Sequence, residues 1–226
     1  MATHLDLEEQ EQIDQLKHFW NTWGTLISTV LVVVFGAVAA WNGYQFWQNR
    51  QASQASALFD AVEVAVQTGD QVRVEQAFGD IRSKYAGTLQ AAQAALLVAK
   101  VEMDKGNVDA AKVALELTVK NTSDDGYRAI ARLRLASVLV EKKAYDQAFE
   151  ALSEKFPSEM RAVVADRKGD VLALQGKAAE AISEYSSAYA ALDKGVEYRR
   201  LVEVKLNALG VRPEMQADTN AAEVKK

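Results

Sequence analysis

Residues 99–111 read AKVEMDKGNVDAA. In this stretch one predicted helix ends, the chain turns, and the next helix begins. Lys105-Gly106-Asn107 carries the turn signal, because glycine ends helices and asparagine favours turns. Related stretches occur at residues 136–148 (ASVLVEKKAYDQA) and 169–181 (GDVLALQGKAAEA). The chain therefore repeats a helix–turn–helix unit at offsets of 37 and 33 residues.

Each unit places a small residue in its first helix, a small residue in its second helix, and a bulky residue one turn later. These residues are Ala99, Ala111 and Leu115; Ala136, Ala148 and Leu152; and Gly169, Ala181 and Tyr185. Antiparallel helices approach closely only where the facing side chains are small, and the bulky residue fills the space beside them. The pattern resembles the tetratricopeptide repeat, although its usual leading tryptophan is replaced by Ala95, Arg132 and Ala165.

Helical patterns continue on both sides of these units. A weaker helix pair covers residues 55–85, and residues 196–208 form a predicted last helix, which a repeat array needs to cover its final apolar face. The polar residues 210–226 are predicted to be disordered. The predicted fold is all-α: an N-terminal transmembrane helix, then a tetratricopeptide-like α-solenoid of three to four helix pairs with a C-terminal capping helix.

The transmembrane prediction rests on residues 26–41, LISTVLVVVFGAVAAW. No charged residue occurs between Lys17 and Arg50, and residues 24–44 would span about 30 Å as a helix, the thickness of a hydrocarbon core. Aromatic residues bracket the run, as at membrane–water interfaces. They are Trp20, Trp23, Trp41, Tyr44 and Trp47.

A cleaved signal peptide and a buried helix of a soluble protein are the alternatives. A signal peptide begins with a short positive segment, whereas this leader is long and acidic. A buried helix would not need the aromatic bracket. A retained span is therefore favoured, with predicted boundaries at residues 1–22 (amphipathic segment), 23–47 (span), 48–209 (repeat domain) and 210–226 (tail).

The orientation of the span is not decided by charge. Lys17 lies on one side and Arg50 on the other, so the positive-inside comparison is a tie. Residues 6–24 have the pattern of an amphipathic helix. Such a helix is either a surface that a cytosolic partner binds or a solvated leader that only orients the span.

The composition excludes several kinds of chemistry. The chain has no cysteine, and its only histidines, His4 and His18, precede the span. The net charge of −5 does not suit nucleic acid. Asp166 and Asp170 share a helical face, but like charges on a solvated face are commoner than an acid–base pair. We predict that the protein is not an enzyme and has no catalytic, cofactor-binding or metal-binding site.

The class of function that remains is the binding of another protein. The first helices of tetratricopeptide pairs line the concave side of the array. The repeat register places a candidate partner groove at Leu96, Lys100, Met103, Leu133, Val140, Val163 and Asp170. Several of these residues would alternatively be ordinary core between repeats.

Two further stretches carry a specific resemblance. EQIDQLKHFWNTWG (residues 11–24) before the span and VVADRKGDVLALQGK (residues 163–177) in the repeats resemble the YfgM family of bacterial inner-membrane proteins, the ancillary subunits of the SecYEG translocon. The resemblance extends from about residue 8 to residue 210.

The resemblance implies a cytoplasmic N-terminus and a periplasmic repeat domain. It implies partners: SecYEG, a PpiD-type periplasmic chaperone and unfolded secreted client proteins, at the lipid bilayer. The implied role is a non-enzymatic adaptor that links emerging secreted proteins to periplasmic chaperones. The alternative is a membrane-anchored scaffold for another envelope assembly complex, with the same fold and different partners.

Overall fold

The computed structural model describes residues 7–212. The first helix, α1, runs without a break from Leu7 to Thr68. It contains the leader from residue 7 onward, the apolar run and the first helix of the weaker pair. Among the described residues, α1 is the one helix that is long and apolar enough to cross a membrane. Its apolar side chains between residues 26 and 41 are exposed around most of its circumference, which suits a helix surrounded by lipid.

The chain divides into two compact units, with the boundary between Gln51 and Ala52. The second unit contains the end of α1 and the remaining helices. These are α2 (Gln71–Tyr85), α3 (Leu89–Asp104), α4 (Val108–Asn121), α5 (Asp125–Glu141), α6 (Tyr145–Ser153), α7 (Arg161–Leu174), α8 (Ala178–Ala191) and α9 (Glu197–Ala208), with a short 3-10 turn at Ser158–Met160. No strand occurs within residues 7–212, so the predicted all-α fold is confirmed.

Local signals explain where the helices begin. The side chains of Asp70, Thr88 and Asp124 each accept a hydrogen bond from the backbone N–H three residues later, which satisfies a free donor at the start of α2, α3 and α5. The predicted turn signal Lys105-Gly106-Asn107 lies at the junction between α3 and α4.

The turn inside each pair requires a left-handed backbone. Gly69, Gly106 and Gly176 have φ values of 70°, 79° and 75°. The equivalent position of the second complete repeat is Lys143, with a φ of 58°. The second complete repeat therefore keeps the left-handed turn although it has lysine in place of glycine. A residue with a side chain is less stable than glycine in the left-handed backbone conformation.

The small residues of the repeat lie where the steric argument predicts. Ala99, Ala111, Ala136, Ala148 and Ala181 are almost completely buried, and Leu115, Leu152 and Tyr185 fill the space beside them. The contact between α7 and α8 is especially close at Gly169. A Cβ atom on Gly169 would lie 2.5 Å from Cδ1 and Cε1 of the Tyr185 ring.

The apolar core has two parts. The larger joins the end of α1 to the helices as far as α7, and includes Val62, Ile81 and Leu115. The smaller joins α7, α8 and α9 through Leu172, Tyr185 and Leu206. The helix predicted at residues 196–208 thus covers the end of the array as α9.

Two expectations concern residues that the structure does not describe. The disordered tail was predicted for residues 210–226, and residues 213–226 lie outside the described range. The acidic leader begins before residue 7, so its first residues also lie outside that range.

Candidate functional site

Two of the predicted groove residues line one groove. Val140 of α5 and Asp170 of α7 face a space of about 490 Å³ between these two first helices. The other predicted residues do not line it. Leu96 is only 7% exposed and belongs to the core, so it offers little surface to a partner. Lys100 is exposed on α3, and Met103, Leu133 and Val163 are half-buried.

The groove between α5 and α7 has an apolar floor and a rim that combines apolar and polar side chains. Ala136, Leu152 and Val171 are buried beneath it. Leu174, which is 53% exposed, and Arg167 stand at its rim. An open groove that combines apolar surface with a few polar groups can bind a polypeptide segment through side-chain contacts. We call this the α5–α7 groove.

Asp170 is held by the fold as well as lining the groove. Its Oδ1 accepts hydrogen bonds from the Tyr185 hydroxyl at 2.9 Å and from the Lys205 ammonium at 2.6 Å. Arg167 lies 3.4 Å from its other oxygen. Its charge is therefore compensated from three sides, and it is not a free carboxylate.

Asp166 lies deeper, and the expectation that it sits on a solvated face is wrong. It is 0% exposed. Lys205 of α9 donates to its two oxygens at 2.7 and 2.9 Å, and the Tyr198 hydroxyl also donates to it. The buried carboxylate is tolerated because an ammonium and a hydroxyl satisfy it. Asp166, Asp170 and Lys205 together with the two tyrosines form what we call the cap cluster.

The cap cluster attaches the last helix and is not arranged for acid–base chemistry. The pKa values of the Tyr185 and Tyr198 hydroxyls are raised above the ordinary tyrosine value. The larger cause is burial, and the second is the hydrogen bond that each hydroxyl donates to an aspartate, Tyr185 to Asp170 and Tyr198 to Asp166. Both hydroxyls therefore stay protonated and remain donors to the aspartates. Within residues 7–212, no group of three or more His, Asp or Glu side chains is placed to hold a metal ion.

The role of Lys205 as the partner of Asp166 was not predicted from the sequence, although one signal indicated that Asp166 needs a buried partner. The repeat register places Leu96 and Leu133 at the position that Asp166 occupies in the third complete unit. A carboxylate at a core position requires a buried partner, and α9 supplies it.

The aromatic residues predicted at the membrane interfaces are all exposed on α1. They are Trp20, Trp23, Trp41, Tyr44 and Trp47. The rings of Tyr44 and Trp47 stack with their centroids 6.3 Å apart. Exposed amphipathic rings near the two ends of an apolar run are suited to the headgroup region of a bilayer.

Comparison with known proteins extends over most of the chain. Residues 17–211 match the family described as a tetratricopeptide repeat-like domain. A protein of Neisseria gonorrhoeae named ancillary SecYEG translocon subunit is 33% identical over 213 residues, which cover 92% of this chain and 100% of the relative. A protein of the same name from Escherichia coli is 26% identical, over 90% of this chain and 97% of the relative. Another from Haemophilus influenzae is 29% identical, over 80% of this chain and 89% of the relative.

Proposed function

Because this chain belongs to the tetratricopeptide repeat-like family of ancillary SecYEG translocon subunits, we propose that it is an accessory subunit of the SecYEG translocon in the inner membrane. The observation that carries this proposal is the end-to-end similarity to the Neisseria relative, which includes the apolar run as well as the repeats. The single long apolar helix of the described chain fits a single-pass anchor.

Within that role, the chain is a non-enzymatic adaptor between emerging secreted proteins and a PpiD-type periplasmic chaperone. The α5–α7 groove supports the proposal, because its apolar floor and exposed Leu174 suit an unfolded polypeptide whose apolar side chains are still accessible. The cap cluster supports it as well, since the two aspartates serve to attach α9 and leave no free acid–base pair.

The α5–α7 groove is tested by Leu174→Asp. The added carboxylate places a charge where apolar side chains would bind, so cross-linking to a chemically unfolded secreted protein should fall about tenfold. Val72→Asp on α2 is the matched control, because Val72 is similarly exposed and lies away from the groove. Equal cross-linking of wild type and Leu174→Asp would exclude this groove as the client site.

The proposed orientation places the N-terminus in the cytoplasm and the repeat domain in the periplasm. A reporter that is active only in the periplasm, fused after Lys226, should be active, and a reporter that works only in the cytoplasm should be silent at the same position. The reverse result would show that the repeat domain faces the cytoplasm and would remove the adaptor proposal.

A further inference from the structure

A second groove lies between α2 and α4, the second helices of the first two pairs. It has a volume of about 580 Å³ and apolar walls from Val74, Phe78, Val98 and Val113. Val113 is 48% exposed, although it faces this apolar lining. The helices that form this α2–α4 groove are not those of the α5–α7 groove, so the two surfaces can be altered separately.

A buried carboxylate stands in the floor of the α2–α4 groove. Glu102 of α3 is 4% exposed, and it accepts hydrogen bonds at 2.8 Å from the side-chain amides of Gln71 and Asn107. Both donors are neutral. Among the ion pairs within residues 7–212, none includes Glu102. Its neighbour Lys105 instead contacts the side-chain oxygen of Gln71.

The repeat register makes this glutamate unusual. The equivalent positions in the next two units are Leu139 and Leu172, which are both buried in the core. A leucine would therefore satisfy the packing at this position. A carboxylate that is buried beside neutral amides costs stability that a leucine would not. Asp166 shows the contrast, because its buried charge is paired with Lys205.

The charges around the α2–α4 groove are mostly negative. Glu75 and Asp109 line it with Glu102, and Arg82 is the one cation among the described lining residues. Asp109 already pairs with Lys142, which holds its pKa below the usual aspartate value. Arg82 lies over the Phe78 ring, 5.9 Å from its centroid. Glu75 and Glu102 therefore remain without a cationic partner beside an apolar wall.

We propose that the α2–α4 groove binds a polypeptide segment that presents a lysine or arginine beside aliphatic side chains. The cation would lie beside Glu75, which is exposed, above Glu102 in the floor of the groove, and the aliphatic side chains would pack on the exposed Val113. Charge complementarity identifies this occupant, because a neutral or acidic segment would leave the two carboxylates uncompensated. The site is separate from the α5–α7 groove and does not depend on the adaptor role proposed for it.

The test measures peptide binding to the full chain in nanodiscs of zwitterionic phosphatidylcholine, which do not attract a basic peptide by charge. The probe is a fluorescein-labelled peptide of alternating lysine and valine with glycine at both ends, followed by fluorescence anisotropy. We expect the wild type to bind it, and Glu102→Gln to raise the Kd about tenfold or more. Val113→Lys, which places a cation in the groove, should raise the Kd to a similar extent.

The controls separate this proposal from the proposed function. Leu174→Lys alters the α5–α7 groove alone and should leave the Kd of the lysine–valine peptide unchanged. A peptide with glutamate in place of lysine should not bind. Val113 is exposed, so Val113→Lys keeps the test valid even where Glu102→Gln disturbs folding.

Three results would overturn the proposal. One is no binding of the lysine–valine peptide to the wild type. Another is an unchanged Kd in Val113→Lys together with equal binding of the glutamate peptide. The third is a wild-type dimer in sedimentation that Val113→Lys dissociates, because a second copy of the chain would then be the occupant.

Discussion

Lys205→Met is expected to lower the free energy of unfolding by about 3–5 kcal/mol, because it leaves the fully buried Asp166 charge without its cation. Lys205 is itself only 22% exposed, so little solvent screens the pair. The same substitution removes the ammonium from Asp170. Urea unfolding of the full chain, followed by circular dichroism, measures the change, and hydrogen exchange should show the loss first in α9.

The double variant Asp166→Leu, Lys205→Met is the matched control. Leu96 and Leu133 occupy the equivalent positions in the other units, so a leucine suits the packing, and the double variant should recover most of the lost stability. If Lys205→Met alone were as stable as the wild type, the cap cluster would not be what attaches α9.

Gly169→Ala is expected to destabilise the chain by about 1–3 kcal/mol, because the added methyl group overlaps a buried ring. An alanine in a helix is otherwise more stable than a glycine by up to about 1 kcal/mol, so the steric effect must overcome this gain. It does so here because the new Cβ would lie 2.5 Å from the ring of Tyr185, whose hydroxyl is also held by Asp170.

Gly79→Ala in α2 is the control for this effect. A Cβ at Gly79 would meet nothing within 4 Å, so this variant should gain about 0.5–1 kcal/mol by the helix preference alone. Opposite signs for the two alanines would establish the close approach of α7 and α8. A gain in stability for both would contradict it.

The repeat architecture was predictable because its cause is local. Small residues twelve positions apart and a turn between them specify a tight helix pair, and the register carries that result from one unit to the next. The capping helix was predictable for the same reason, since a repeat array needs a polar end. The continuity of α1 from Leu7 to Thr68 was not predictable from the sequence. The aromatic residues on both sides of the apolar run mark membrane interfaces, but they do not indicate where a helix ends.

The candidate site was predicted only in part. Val140 and Asp170 line the α5–α7 groove, whereas register alone cannot tell a groove position from a core position, as Leu96 shows. The cap cluster was missed because Lys205 lies far from Asp166 in sequence and meets it only when α9 packs on α7. Glu102 was missed because its burial depends on α2, which belongs to the weaker first pair.

The most direct test of the central claim is affinity purification of the tagged full chain from gently solubilised native membranes, with an unrelated single-span inner-membrane protein as the control. We predict that SecYEG is recovered with this chain and not with the control. Recovery of the intact chain without SecYEG would contradict the account. If another envelope complex were recovered in its place, the chain would be a scaffold for that complex, with the same anchor and the same repeats.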